Sequence, residues 1–233
     1  MKFEQTLIPG TLIKRYKRFM ADVKLDDGSI VTAHCPNSGS MKTCNQTGWN
    51  VLLSKSNNPN RKLKYTWELV HNEKCWIGIN THLANKLAVE AIQNGWIPEL
   101  SGYTKLETEK KYGQNSRIDI LLTSSKQTCY VEVKNVTLVE DDGFYTFPDS
   151  VTSRGLKHLH ELAEMVRQGH RTVMLYAIQR SDGTLFKPAR HIDPDYAKAL
   201  KEVNNQGVEI LAYRADINPD AITLKHPLEY TLD

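Results

Sequence analysis

The chain is poor in cysteine, and its cysteines are too scattered for a standard zinc site. Four cysteines occur in 233 residues, and no two of them form a CxxC pair. The candidate ligands for a zinc site are His34, Cys35, Cys44, His71 and Cys75. The spacing from Cys35 to Cys44 is too wide for a standard zinc knuckle. We therefore expect free, partly buried thiols, as is usual in the reducing cytoplasm.

The sequence also lacks long apolar runs and a strong excess of charge. No run approaches the ~20 apolar residues of a membrane span, and the first ten residues, MKFEQTLIPG, lack the apolar core of a signal peptide. We therefore expect a cytoplasmic protein with no membrane partner. The formal net charge is only +3, with 40% hydrophobic and 8% aromatic residues. Nucleic-acid binding must therefore be judged from where the charges lie.

Positive charge is concentrated in two short segments. The first is KRYKRF, which interleaves cations with aromatic rings: Lys14, Arg15, Tyr16, Lys17, Arg18 and Phe19. The second contains Arg61, Lys62 and Lys64. Cations beside aromatic rings are typical of surfaces that neutralise phosphates and stack bases. We therefore predict that the first segment contacts DNA.

Residues 1–79 are predicted to form five short strands and no helix. The runs TLIKRYKRFMADVKL and SIVTAHC, joined by the turn DDG, are typical of a hairpin. WNVLLSKS predicts a third strand, and KLKYTWELVHNEKCWIGI predicts two more. Five short strands predict a closed β-barrel of the OB type, although other small barrels fit the same pattern.

The loop that begins HCPNSGSM has two interpretations. Asn37, Ser38 and Gly39 favour a turn through local hydrogen bonds and permissive dihedral angles. The same segment would also suit a loop that contacts phosphate between barrel strands. The sequence does not distinguish these alternatives.

From residue 80 the pattern changes to alternating helices and strands. A helix is predicted over THLANKLAVEAIQNG, capped by Asn80 or Thr81 and ended by Gly95. The strand-like runs YTKLETEKKY, RIDILLT and CYVEVKNVTL follow, then a helix over SRGLKHLHELAEMVRQG and a buried strand over RTVMLYAIQR. A third helix, DPDYAKALKEVNNQG, precedes a last strand, VEILAYRADI, and the tail from Asn218 has no clear pattern. Residues 80–233 are therefore predicted to form an α/β domain with a central mixed sheet.

Three charged residues stand out in the second and third strand-like runs of this domain. Asp119 lies in RIDILLT, and Glu132 and Lys134 lie in CYVEVKNVTL. Side chains at i and i+2 of a strand share a face, and a hairpin would bring Asp119 to the same place. Burying two carboxylates and an ammonium is costly, whereas Mg²⁺ prefers one or two carboxylates together with waters and phosphate oxygens. A cross-strand salt bridge is the alternative explanation.

The first predicted helix offers a further carboxylate. Glu90 follows Leu83 by seven residues and Leu87 by three, so helical spacing places it on their stripe, facing the sheet. There it would complete the metal shell. The alternative is a glutamate at the helix edge that pairs with a lysine.

Basic residues flank the same region. Arg117 lies two residues before Asp119 and is suited to bind either that carboxylate or a phosphate. Arg154 and Lys157 lie near the start of the second predicted helix, where cations oppose the helix dipole and so indicate an external anion. A solvated helix start is the alternative for both. Weaker candidates of the same region are Ser116 and His158.

The order α-β-β-β-α-β and the three charged residues resemble the PD-(D/E)xK nuclease superfamily. Its members carry Asp on the second core strand, E-x-K on the third and often Glu on the first helix. The corresponding residues here are Asp119, Glu132, Lys134 and Glu90. Ile118 stands where the motif has proline, and the Pro148-Asp149 pair follows E-x-K and does not fit the motif.

Longer segments resemble one family over nearly the whole chain. LIKRYKRFMADV, HCPNSGSM, YTWELV, SRIDILL, CYVEVKNVTL, FPDSVTSRGLKHL, PARHID and GVEILAY are similar, in order and spacing, to the sugar fermentation stimulation protein A (SfsA) family. The resemblance implies an OB-like barrel followed by a PD-(D/E)xK-like domain. It also implies DNA binding and a link to the regulation of sugar (maltose) metabolism.

Two functions follow from this resemblance. In the first, the chain is a Mg²⁺- or Mn²⁺-dependent DNA endo- or exonuclease. Asp119, Glu132 and the Val133 carbonyl would then bind the ion with help from Glu90, and Lys134 would activate water. In the second, the chain is a DNA-binding transcriptional regulator that retains a nuclease fold without cutting. DNA is the expected partner in both, and the oligomeric state stays open, with a homodimer as one alternative.

Overall fold

Five strands of the amino-terminal region close into a barrel in the computed structural model, which describes residues 1–113 and 116–233. The strands are β1 (Ile8–Tyr16), β2 (Met20–Leu25), β3 (Ile30–His34), β4 (Asn50–Lys55) and β5 (Tyr65–His71). They pair in the order β3-β2-β1-β4-β5, and parallel pairing of β3 with β5 closes the barrel. A short strand, β6 (Trp76–Gly78), pairs antiparallel with β5. The predicted OB-type barrel is therefore confirmed.

One strand boundary in the barrel was predicted wrongly. The run TLIKRYKRFMADVKL is two strands, because the chain reverses at Lys17 and Arg18 between β1 and β2. Both residues have positive φ angles, of 49° and 62°. Residues other than glycine rarely adopt this conformation, and residues 16–20 include no Gly, Pro, Asn or Asp to indicate a turn.

The second domain is built on a six-stranded mixed sheet. Its helices are α1 (Ala84–Gln93), α2 (Ser153–Arg167) and α3 (Pro194–Asn205). Its sheet strands are β7 (Lys105–Tyr112), β8 (Ser116–Thr123), β9 (Thr128–Val136), β12 (Arg171–Ile178), β14 (Glu209–Asn218) and β15 (Ala221–Leu228). They lie in the order β15-β14-β12-β9-β8-β7, with β12 parallel to both β9 and β14. The predicted α/β domain with a mixed sheet is confirmed.

The two faces of this sheet have separate apolar cores. One core includes Leu87 of α1 with Val131 and Val133 of β9. The other includes Leu159 of α2 and Leu200 of α3. Because the sheet is covered on both faces, a polar side chain can reach solvent only where strands or helices separate.

Helix caps were predicted accurately. The Asn80 side chain accepts a hydrogen bond from the His82 amide ahead of α1, and Thr152 accepts one from Gly155 at the start of α2. Gly95 and Gly169 follow the two helices with φ angles of 69° and 85°. These local interactions satisfy helix-end groups without help from distant residues.

Short elements inside loops had not been predicted. β10 (Leu138–Val139), β11 (Phe144–Phe147) and β13 (Leu185–Pro188) form a small three-stranded sheet. The tail after Asn218 forms β15, which pairs antiparallel with β14. The amino terminus also packs on this second domain, since Phe3 N–H donates to the Asp220 carbonyl at 3.0 Å. Within the part of the chain that the structure describes, no helix has the length and apolarity needed to cross a membrane.

Arg180 joins the two domains. Its buried guanidinium makes a bidentate ion pair with Asp182, with both N···O distances at 2.7 Å. Nη1 donates to the Thr137 carbonyl and, across the domain boundary, to Thr43 Oγ1 at 2.9 Å. Asn72 of the barrel donates to Asp182 at 2.6 Å. Burial alone would raise the pKa of Asp182, but Arg180 outweighs it and lowers that pKa to about 2.

Replacing Arg180 by glutamine should destabilise the protein by about 3–5 kcal/mol, because Asp182 would stay buried without its cation. The folded pKa of Asp182 is depressed, so the contribution of this pair is present above pH ~4, the unfolded pKa, and is lost as pH falls towards 2. Urea unfolding at pH 7 measures the loss.

Arg167→Gln is the matched control, because Arg167 forms an exposed pair with Glu164. We expect it to change the free energy of unfolding by less than about 1 kcal/mol. Equal losses in the two variants would show that burial of Arg180 contributes nothing.

Candidate functional site

The strands that carry the predicted triad separate at the site. Backbone pairing between β8 and β9 ends at Ile120 and Val131. Beyond that pair, Asp119 Oδ2 accepts a 2.8 Å hydrogen bond from the Val133 amide. A side chain thus replaces the backbone ladder, and the Asp119 carboxylate lies in the gap between the two strands.

Glu132 is the most deeply buried charged group of the site. Its side chain is 2% exposed, and Lys134, which is 12% exposed, donates to its Oε1 at 2.8 Å. His158 of α2 contacts the same oxygen through Nδ1. Arg154 donates to His158 Nε2 at 3.4 Å, and Lys134 Nζ lies 3.2 Å from His158 Nδ1. Burial alone would raise the pKa of Glu132, but His158 and Lys134 outweigh it and lower that pKa.

The second oxygen of Glu132 has a different environment. Glu132 Oε2 is buried, and no residue in the described ranges 1–113 and 116–233 forms a hydrogen bond with it. A buried carboxylate oxygen without a donor is unfavourable unless a cation or water satisfies it. This atom is therefore suited to bind a positively charged ligand.

The pKa of Asp119 is unusually high for an aspartate. Burial, followed by the negative charge of Glu132, raises the pKa of Asp119 to about 6. Hydrogen bonds from the Val133 amide and from Asn85 Nδ2, the latter at 2.8 Å, act in the opposite direction. The buried carboxylate of Glu132 and the partly buried carboxylate of Asp119 repel each other, and a divalent cation between them would remove that repulsion.

The donor set fits a hard cation better than zinc. The described residues hold no group of three or more His, Cys, Asp or Glu side chains arranged to bind a metal. The four cysteines are free thiols. Two carboxylates and the Val133 carbonyl would leave positions for water and phosphate, which is how Mg²⁺ is commonly bound. The residues present therefore fit an Mg²⁺-like ion that shares its shell with a substrate.

Glu90 does not join this group, contrary to the sequence-based expectation. Its carboxylate binds the amino-terminal ammonium of Met1, which also donates to the Ile222 carbonyl. The buried stripe of α1 includes Leu87 and Ala91, and Glu90 lies at one edge of it. Asn85 is five residues earlier, which is about 140° away around the helix, and it contacts Asp119 instead.

The flanking basic residues line a cleft with Asp119. This cleft, of ≈ 380 Å³, is bordered by Arg117, Arg154, Lys157 and His158. Arg117 does not pair with Asp119, because its guanidinium donates to the Glu109 carbonyl at 3.0 Å. The cleft that contains the Asp119 carboxylate is thus lined by three cationic side chains, those of Arg117, Arg154 and Lys157.

Half of the KRYKRF segment makes contacts within the barrel. Arg15 Nη2 donates to the carbonyls of Asn37 and Gly39 at 2.8 and 3.0 Å. Lys14 lies 3.7 Å from Asp22, and the Tyr16 hydroxyl donates to the same carboxylate at 3.1 Å. These three side chains therefore have structural partners, in addition to any role in binding DNA.

The remaining residues of the segment project from the β1–β2 turn. Lys17 and Arg18 are exposed, and 49% of Phe19 is exposed. Arg18 lines a second cleft, of ≈ 460 Å³, between the barrel and the α/β domain. Lys134 and Arg154 line its other wall. The barrel turn and the metal candidate thus face the same region.

Two residues of the site had no signal in the sequence. Asn85 contacts Asp119 but shares neither charge nor motif with it. Glu109 stands opposite Asp119 in the β7–β8 pair, where the register passes from Thr108–Ile120 to Lys110–Ile118, and it has a φ of 55°. A left-handed glutamate inside a strand is uncommon and marks a local distortion beside the site. Only the backbone geometry reveals it.

Comparison with protein families divides the chain into two matched regions. Residues 13–79 match the SfsA N-terminal OB domain. Residues 82–221 match the sugar fermentation stimulation protein RE domain.

Curated relatives match at full length. The sugar fermentation stimulation protein homolog of Geotalea uraniireducens (strain Rf4) is 56% identical over 224 residues, which is 96% of each chain. The homolog of Maricaulis maris (strain MCS10) is 52% identical over 233 residues, covering 100% of this chain and 99% of that one.

A solved structure has the same fold. Pyrococcus furiosus SfsA in complex with Ca²⁺ superposes with a TM-score of 0.88 and 26% identity, covering 99% of this chain and 98% of that one. With both domains matched in order and at full length, the chain belongs to the sugar fermentation stimulation protein (SfsA) family.

Proposed function

We propose that the protein is a divalent-metal-dependent nuclease that acts on DNA. The observation that carries the proposal is the buried Glu132 Oε2, which has no hydrogen-bond donor among the described residues and lies near a second carboxylate whose pKa is raised. Structural salt bridges satisfy their buried oxygens, whereas metal ligands keep one for the ion. The Ca²⁺ complex of the Pyrococcus furiosus relative supports the use of a hard divalent cation.

Each residue of the site has a distinct role in this proposal. Asp119 Oδ1 and Oδ2, Glu132 Oε2 and the Val133 carbonyl are the oxygens available to hold Mg²⁺ or Mn²⁺. When bound, such an ion lowers the pKa of water and stabilises charge on a phosphate. Lys134 would orient the attacking water and offset the negative charge that develops on the phosphate. His158 fixes Glu132 Oε1, so that Oε2 keeps its orientation.

The barrel would bind the DNA. Lys17 and Arg18 are the exposed cations of the β1–β2 turn, and Phe19 offers a face for stacking bases. The link to sugar (maltose) metabolism would then act through DNA. The second candidate is a DNA-binding transcriptional regulator that does not cut. It is favoured because three of the four carboxylate oxygens of Asp119 and Glu132 already accept hydrogen bonds within the protein.

Purified protein should cleave DNA in Mg²⁺ or Mn²⁺ and not in EDTA. Asp119→Ala and Lys134→Ala should each lower the rate at least about 100-fold, because each removes a group that acts on the transition state. Gel analysis of labelled single- and double-stranded DNA measures the products.

Lys126→Ala is the matched control for Lys134, since Lys126 lies exposed in the β8–β9 turn. Its rate should equal that of the wild type, and DNA binding should survive in all three variants. Absence of cutting in every metal, with binding intact, would favour the non-catalytic regulator.

Asp119→Asn should raise the Tm in EDTA at pH 7.5 by about 2–4 °C for each kcal/mol of repulsion removed. The folded pKa of Asp119 lies above its unfolded value, so its ionised form destabilises the fold above pH ~6. This penalty disappears as pH falls through 6 towards 4, and the two Tm values should converge.

Mn²⁺ should raise the Tm of the wild type and leave that of Asp119→Asn unchanged. Thermal scans at several pH values measure both effects. A variant that is less stable than the wild type at pH 7.5 would mean that Asp119 serves the fold and not an ion.

Lys17→Gln should weaken DNA binding and reduce the slope of log K against log salt by about one. Fluorescence anisotropy at several salt concentrations measures the slope. Lys24→Gln, an exposed change elsewhere on β2, is the control and should leave the slope unchanged. Equal slopes in both variants would place the DNA on another surface.

A further inference from the structure

We propose that the cleft between the two domains binds a single-stranded segment of nucleic acid, and that the loop Asn37–Met41 forms the barrel-side wall of this cleft. The inference rests on the proposed function for the identity of the substrate as a nucleic acid. It goes further by proposing that the substrate is single-stranded and that it reaches Asp119 and Glu132 through this cleft.

The two clefts of the site form one path. The interdomain cleft of ≈ 460 Å³ is lined by Arg18 and Ser38 from the barrel and by Lys134 from β9. Arg154 lines both this cleft and the neighbouring cleft of ≈ 380 Å³ that contains Asp119. A chain of phosphates following this path would pass from the barrel turn to the carboxylates.

The dimensions favour one strand over two. Each cleft falls in the range of about 300–1,000 Å³ that encloses one small ligand, which corresponds to one or two nucleotides. The groups to be reached are recessed, since the side chains of Glu132 and Lys134 are only 2% and 12% exposed. One flexible strand can follow a path of clefts of this size, whereas the two phosphate backbones of a duplex cannot both enter it.

Cations line the path, and exposed apolar side chains lie beside it. Arg18 and Arg154 supply positive charge from opposite walls. Two of the four large hydrophobic side chains exposed among the described residues, Phe19 at 49% and Val151 at 74%, are chain neighbours of residues that line the cleft. The Phe19 ring can stack on an unpaired base, a contact that a duplex backbone does not offer.

Contacts within the protein hold the barrel-side wall of the cleft in place. Arg15 fixes the loop through the Asn37 and Gly39 carbonyls, and Gly39 N–H donates to Asn37 Oδ1 at 2.9 Å. Asp149 of the α/β domain lies against Gly39, so closely that a Cβ there would stand 2.1 Å from its Oδ2. The loop thus holds the two domains at a fixed separation, which lowers the entropy lost when a strand binds.

Binding of a fluorescein-labelled 12-nucleotide single strand and of its duplex, measured by anisotropy in EDTA, tests the inference. The single strand should bind at least tenfold more tightly than the duplex. Arg18→Gln, Phe19→Ala and Ser38→Glu should each raise the single-strand Kd about tenfold, which is about 1.4 kcal/mol.

Each variant has a matched control on the barrel surface. Lys24→Gln removes one cation, Ile30→Ala removes one exposed apolar side chain, and Ser29→Glu adds one negative charge. All three controls should keep the single-strand Kd within about twofold of the wild type, because none of these residues lines the cleft or is a sequence neighbour of a residue that does. Thermal unfolding of all six variants confirms that they are folded.

Two results would overturn the inference: duplex binding as tight as single-strand binding, or cleft variants that behave like their controls. The measurement involves no cleavage, so it is independent of the proposed catalysis. Failure to cut DNA in any metal would refute the nuclease and leave the binding result standing. Loss of single-strand preference in a protein that still cuts would refute only the cleft.

Discussion

The hydrogen bond from the Val133 amide to Asp119 Oδ2 is the interaction on which the site depends. It joins β8 to β9 where their backbone pairing has ended, and it fixes a carboxylate in the gap. β9 also presents Glu132 towards α2, and His158 and Lys134 contact only one oxygen of the Glu132 carboxylate. Partial burial, followed by the nearby negative charge of Glu132, raises the pKa of Asp119, and this shift is the energetic signature of the arrangement. Sites that bind ligands often retain such unfavourable interactions.

The barrel and the α/β domain form this region together. Arg180 connects Asp182 to Thr43 across the boundary, and Asp149 packs against Gly39 from the other side. The β1–β2 turn is therefore held at a fixed position relative to Lys134. A chain that binds DNA with one domain and acts on it with the other needs such a fixed separation. Both matched domains of the SfsA family occur here in this relationship.

Local chemistry made most of the fold predictable. Asn80 and Thr152 cap helices, and Gly95 and Gly169 end them, because these interactions involve only neighbouring residues. Asp119, Glu132 and Lys134 were predicted to lie together because strand alternation and the family motif both pointed to them; their role as a site stays a prediction. The turn at Lys17 was missed because tertiary contacts, including those of Arg15 with the Asn37–Met41 loop, impose a conformation that its residue types disfavour. Glu90 was misplaced because it lies at the edge of the apolar stripe of α1, where the ammonium of Met1, distant in sequence, binds its carboxylate.

The central claim is that Asp119 and Glu132 Oε2 bind a divalent cation from opposite sides of the strand gap. An anomalous difference map from a crystal of this protein soaked in Mn²⁺ tests it most directly. We predict a single strong peak within about 2.0–2.4 Å of Glu132 Oε2, of an Asp119 oxygen and of the Val133 carbonyl. A map in which Mn²⁺ binds elsewhere, or in which Glu132 Oε2 has no metal neighbour at saturating Mn²⁺, would contradict it.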